Sequence, residues 1–203
     1  MGELLMAGPA WKLVAKQKIL PIDVILLRQE VFPNGVQNRQ DVATLLALET
    51  ACYDKCPQWD ELFTKSIADY VLFAEGEKGI IDDAQALWLK QCLTRDGLTE
   101  TKNEFATLVR ILSLAKRAPS SVASLALDQI THRIYASGAN RRKIEDISDD
   151  DRAILIDLNK IIDVAKKFSI HEHLRAVGLA QLIDAPEFVD EEQEQEIALL
   201  YNV

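Results

Sequence analysis

The chain has 203 residues with 48% apolar and 27% charged side chains. That suits one large domain or two small ones, with roughly 70% of the unfolded surface buried and no need of staples. Three cysteines, an odd number, argue against a disulfide framework and for a reducing compartment. No run nears the roughly 20 apolar residues of a membrane span, and Met1 to Met6 carries no basic-then-apolar leader, so a cytoplasmic location is expected.

Residues 1–20 are broken by Gly8-Pro9 and stay open. Pro21 sits well in a helix first turn, where its missing N–H is no loss, and the spacing predicts a short helix through Ile22, Ile25, Leu26 and Val31. Pro33-Asn34-Gly35 ends it, and Asn38 caps the next helix, with Asp41 completing a capping-box-like arrangement. That helix carries Val42, Leu45, Leu46 and Leu48 inward, and Pro57 stops it. Trp59, Leu62, Phe63, Ile67, Tyr70 and Val71 form the stripe of the following helix, closed by Gly76 and Gly79. Asp82 opens a helix with Leu87, Trp88 and Leu93 inward. Asp96-Gly97 is a turn dipeptide without flanking alternating strands, which argues against a hairpin.

A long helix with Phe105, Leu108, Val109, Leu112 and Ala115 follows, up to Pro119-Ser120-Ser121. The segment from Val122 to about Tyr135 is apolar over much of its circumference, as a central helix would be. Residues 137–147, with Arg141, Arg142 and Lys143, read as a basic linker between a main helical domain (21–136) and a C-terminal part (148–203). Ser148 followed by three aspartates is the strongest helix start. Ile154, Leu155, Leu158, Ile161, Ile162 and Ala165 form its stripe; Ser169 with Glu172, and later Asp190, open the last two helices. No strand stands out. The expected fold is all-α, an orthogonal or bundle-like array of about eight to nine helices. Asp41 to Leu48 matches Asp151 to Leu158 at an offset of 110 residues, which suggests two similar halves.

A phrase recurs along the chain: a turn glycine, an apolar residue, then a polar helix opener, at Gly35-Val36, Gly79-Ile80 and Gly97-Leu98, and without glycine at Ile147-Ser148. Read as calcium loops, these place Phe32, Ala74 or Cys92 where oxygen ligands belong and never a terminal Glu. C-cap glycine followed by N-cap residue explains the phrase. Cys52 and Cys56 share a helix face, a metal or redox pair in principle, yet no second ligand pair matches them, and they read as small apolar residues. His171 and His173 would point about 200° apart on a helix, and position 175, where a zinc helix would carry its second histidine, is Arg175. Asp82, Asp83, Asp149 and Asp150 are the candidate carboxylates for a divalent metal, although the helix dipole alone accounts for acids in first turns. No phosphate loop, dinucleotide fingerprint or nucleophile elbow is present, and no cofactor is implied.

Charge is unevenly placed. Residues 1–100 hold ten basic and fifteen acidic side chains, 101–143 eight against two, and 144–203 five against fifteen. The basic island, with Arg141, Arg142 and Lys143 as its densest point, suits an acidic protein surface or the chain's own acidic C-terminal stretch. Net charge of −9 and the lack of interleaved aromatic and basic residues speak against nucleic acid.

The stretches Gly35 to Leu48, Trp59-Asp60-Glu61-Leu62-Phe63 with Ala68-Asp69-Tyr70, and Gly97 to Glu100 resemble a group of uncharacterised bacterial helical proteins. More distantly they resemble the tellurite-resistance TerB-like domain, over about residues 20–118. The resemblance implies an all-helical fold and a stress-linked, non-enzymatic role. Metal association through acidic residues is attributed to that domain, but no paired acids here match it. The expected function is a cytoplasmic helical interaction or stress-response protein that binds a protein partner. The alternative is a divalent-metal-binding domain or metal-dependent helical hydrolase using the helix-opening carboxylates. Oligomeric state does not follow from the sequence.

Overall fold

Capping and core spacing set the architecture, and a computed structural model describes residues 8–137, 149–168 and 175–179. The fold is all-α. Among the described residues eight α-helices run in the order α1 (Gly8–Lys16), α2 (Pro21–Leu26), α3 (Arg39–Ala51), α4 (Pro57–Asp69), α5 (Asp83–Leu93), α6 (Lys102–Leu114), α7 (Ser120–Ser137) and α8 (Asp149–Phe168), with further helical residues at 175–179. Among the described residues the one sheet is a two-residue parallel pair, β1 (Lys18–Ile19) with β2 (Asp54–Lys55). No described helix is long and apolar enough to cross a membrane. The chain divides into two compact units, Met1–Val122 and Ala123–Val203, so the boundary falls near the start of α7. The 137–147 linker lies almost wholly outside the described residues.

In the first unit each glycine phrase is a left-handed turn followed by a side-chain cap. Gly35, Gly79 and Gly97 have φ of 74°, 79° and 84°, a region open to glycine because it lacks Cβ. Asn38 Oδ1 accepts the Asp41 N–H at 3.0 Å and Asp82 Oδ1 the Gln85 N–H at 2.7 Å. Asp41 does not close a box on Asn38; its Oδ2 accepts the Gln37 N–H at 2.8 Å, one residue earlier. The third helix opens one residue beyond the expected Glu100. Thr101 is the cap, its Oγ1 accepting from Glu104 N–H at 3.2 Å, while Glu104 Oε2 accepts the Thr101 N–H at 2.8 Å. Asp96 (φ 53°) and Gly97 form a two-residue turn closed by reciprocal Arg95 and Leu98 amide bonds of 2.8 and 3.0 Å. The hairpin geometry is therefore present at one residue pair, without strands to extend it.

α4 packs most extensively on α6. Trp59, Phe63 and Ile67 from α4, Leu45 and Leu48 from α3, Leu89 and Leu93 from α5, and Leu108, Ile111 and Leu112 from α6 are all fully buried. Side chains of this size each stabilise the fold by about 1.5–3 kcal/mol on burial. A polar cluster pins the same helices. Glu49 is fully buried; its carboxylate accepts from Trp59 Nε1 at 2.6 Å and Asn103 Nδ2 at 3.3 Å and pairs with Lys55 at 3.0 Å.

Three expectations resolve differently: on α5 Leu87, expected inward, is exposed, and α2 and the Cys52–Cys56 pair also depart. α2 turns Asp23 and Val24 inward and leaves Ile22, Ile25 and Leu26 exposed. Asp23 is held there by the Leu20 N–H at 2.7 Å and Lys16 at 2.6 Å, so a local cap outweighs the side-chain stripe. Cys52 and Cys56 do not share a helix face: α3 ends at Ala51, Cys52 caps it, β2 intervenes, and Cys56 caps α4. α2 and α4 each end in a π-helical turn, Leu27–Val31 and Tyr70–Ala74.

In the second unit α7 buries Ala123, Leu125, Ala126, Leu127, Ile130 and Ile134, most of its circumference. α8 buries Ile154, Leu158 and Ile161 as its stripe predicts. Arg175 pairs with Asp128 at 2.6 Å, and Arg133 with Asp157 at 3.0 Å.

Candidate functional site

A groove of about 520 Å³ runs between α3 and α5 and is closed at one end by the turn leading into α6. α3 contributes Ala43, Leu46, Ala47 and Thr50. Residues spaced by three and four share one helix face, so these side chains form a shallow wall in which alanines leave the room. The opposite wall is Gln91 and Cys92 of α5; Thr94, Arg95 and Glu100 of the turn close the end, and Glu104 of α6 lies between the walls.

Two arginine–carboxylate pairs belong to this part of the unit, and the second of them lines the groove. One turn before Ala43, Arg39 sits with its guanidinium 4.8 Å from the centre of the Trp88 ring and pairs with Glu75 at 2.6 Å. Tyr70 packs edge-on against the same indole at 6.0 Å, and burial pushes its phenol up, with the Glu75 carboxylate adding to it. The second pair is Arg95 with Glu100 at 2.9 Å. A guanidinium stacked on tryptophan is rigid as well as charged.

Glu104 is the most constrained group in the groove. It is 6% exposed. Its Oε2 accepts the amide N–H groups of Glu100 at 2.7 Å and Thr101 at 2.8 Å. Its Oε1 accepts no hydrogen bond from the described residues, yet it is not sealed from solvent. Burial pushes the carboxyl above the ordinary carboxylate range, opposed by the two amides and reinforced by the charges of Glu100 and Glu49. Cys92 is likewise shifted by burial, its thiol pushed up to about 12. At neutral pH it is a protonated thiol and a poor nucleophile. The groove thus offers small apolar walls, one carboxylate acceptor and a charged rim, with no activated nucleophile.

Asp82 and Asp83, singled out by sequence, do not line the groove. Asp82 is spent on its own helix as an N-cap, and Asp83 begins α5 with its side chain exposed. Asp149 and Asp150 begin α8. Among the described residues no three His, Cys, Asp or Glu side chains lie close enough to hold a metal ion. Arg141, Arg142, Lys143, His171 and His173 lie outside the described residues. Three of the five described basic residues of the island are paired with acids: Lys102 with Asp60 at 2.8 Å, Arg110 with Glu61 at 3.8 Å, and Arg133 with Asp157.

The signals for the groove were in the sequence. Thr101-x-x-Glu104 is a capping box, which fixes Glu104 in the first turn of α6. Ala43, Ala47 and Ala51 recur every fourth residue on α3. Their joint meaning depends on which helix lies opposite, which periodicity does not specify. No family model, no curated protein and no solved structure matches this chain.

Proposed function

We propose that the protein is a non-enzymatic binding module that takes a segment of a protein partner into the groove between α3 and α5. The observation that carries this reading is the groove's make-up: about 520 Å³ of space with small apolar walls and a few placed polar groups. That is within the roughly 300–1,000 Å³ of ligand-sized sites. A cysteine kept protonated by burial and a carboxylate held by two backbone amides are suited to binding rather than to nucleophilic or acid–base turnover. The lining pair Arg95–Glu100 supplies a polar edge of the kind that sets register at interfaces. In this reading the protein works in the cytoplasm, and Arg141, Arg142 and Lys143 add an electrostatic contact with an acidic part of the partner.

A photo-reactive side chain at Gln91, on the groove rim, tests the reading against the same group at Asp83, which is exposed outside the groove. The partner crosslinks at position 91 and not at 83, and Ala47→Leu, which fills the groove, removes the adduct. Replacing Arg141, Arg142 and Lys143 with Ala lowers the yield at low salt. Equal crosslinking at both positions, unaffected by Ala47→Leu, defeats the assignment of the groove.

A further inference from the structure

We infer that the groove is built to seat a lysine side chain of the partner, with its methylenes along the alanine wall of α3 and its ammonium on Glu104 Oε1. This rests on the groove being the partner-binding surface and adds what anchors the partner there. Three observations converge. Glu104 is nine-tenths buried, lines the groove, and leaves one carboxylate oxygen without a donor among the described residues, while its other oxygen takes two backbone amides. That second oxygen is open to solvent, so an incoming ammonium displaces only water there. The charges lining the groove do not cancel: Arg95 is matched by Glu100 at 2.9 Å, which leaves the Glu104 carboxylate as the unbalanced charge. A cation is the complementary ligand. Finally, the α3 wall of the groove is mostly apolar, with Ala43, Ala47 and Ala51 spread over about 12 Å of helix. A lysine stem is an unbranched apolar chain ending in a compact, three-donor ammonium. It fits such a wall, whereas the broad planar fork of arginine suits a bidentate partner that a carboxylate with one oxygen already committed does not offer.

The experiment uses the full chain and two five-residue peptides, acetylated and amidated, in which leucines flank either lysine or norleucine. Norleucine keeps the stem and removes the ammonium. Binding is read by fluorescence anisotropy of the labelled peptides, with n-hexylammonium as a small-molecule arm. The lysine peptide is expected to bind at least about tenfold more tightly than the norleucine peptide, the scale of one charge-assisted hydrogen bond. Glu104→Gln is expected to abolish that difference while keeping the cap, since glutamine serves the same capping box and the circular-dichroism melt reports whether it does. Ala47→Leu is expected to weaken both peptides. If the norleucine peptide binds equally well and Ala47→Leu still weakens both, the lysine anchor is wrong and the groove reading stands. If neither peptide responds to Ala47→Leu, both fall. If hexylammonium binds in a Glu104-dependent way and the lysine peptide does not, the occupant is a free amine and the partner side chain is overturned.

Discussion

Glu104 is asked to do two things at once, and they pull its proton in opposite directions. Its amide partners at Glu100 and Thr101 favour the carboxylate, while burial, Glu100 and Glu49 disfavour it, and the net effect is a raised pKa. A raised carboxyl favours the fold when protonated. Its contribution is fully present below the unfolded carboxylate range and is lost as pH rises through the folded value. Glu104→Gln, which mimics the protonated form, should therefore melt higher than the parent at neutral pH, with the gap closing near about pH 4. A variant that melts lower at every pH contradicts the account. Glu49 is the structural counterpart: fully buried, with every donor around it accounted for by Trp59, Asn103 and Lys55. Glu49→Ala leaves the Trp59 indole N–H without its acceptor and Lys55 without its counter-charge, although Lys55 keeps the carbonyl of residue 49 at 2.7 Å, and a loss of about 3–5 kcal/mol is expected in urea unfolding. That one carboxylate is spent on stability and the other left partly open is what separates scaffold from site.

At the scale of elements, the glycine phrases make the helix array possible and carry no ligand chemistry of their own. The three turns are not equal. A Cβ on Gly79 would lie 3.2 Å from Lys116 Cγ and Cδ, and the Lys116 N–H donates to the Gly79 carbonyl at 2.7 Å. Gly97 has nothing within 4 Å of a Cβ. Gly79→Ala should cost about 1–2 kcal/mol from the left-handed backbone alone, with Lys116 adding to it. Gly97→Asn should cost a few tenths, since asparagine tolerates the same region. Equal losses at the two positions would show that the Lys116 packing is immaterial. Most helices and their order were legible from the sequence because caps and apolar spacing are local signals, but α1 falls within residues 1–20, which the sequence left open. What was not legible came from competition between local signals. On α2 the cap formed by Asp23 wins over the Ile22, Ile25, Leu26 stripe, which is left facing solvent. The opener of α6 is Thr101 and not the neighbouring Glu100, because Thr101 bonds reciprocally with Glu104.

For the whole molecule, the sequence pointed to charge and the structure points to space. The basic island draws the eye in a chain of net charge −9, yet Lys102, Arg110 and Arg133 face acids brought alongside by the fold. Sequence position does not reveal such pairing, because each partner lies more than 20 residues away. The groove is the converse case. Its walls come from α3 and α5 and its acceptor from α6, so no local window contains it, and its residues are individually unremarkable alanines, a cysteine and a capping glutamate. The central claim is that this groove is where the protein meets its partner. Amide chemical-shift mapping of the full chain during titration with the lysine peptide tests it most directly. The account predicts shifts confined to α3, α5 and residues 94–104, lost in Ala47→Leu; shifts centred on any other face, or persisting unchanged in that variant, would contradict it.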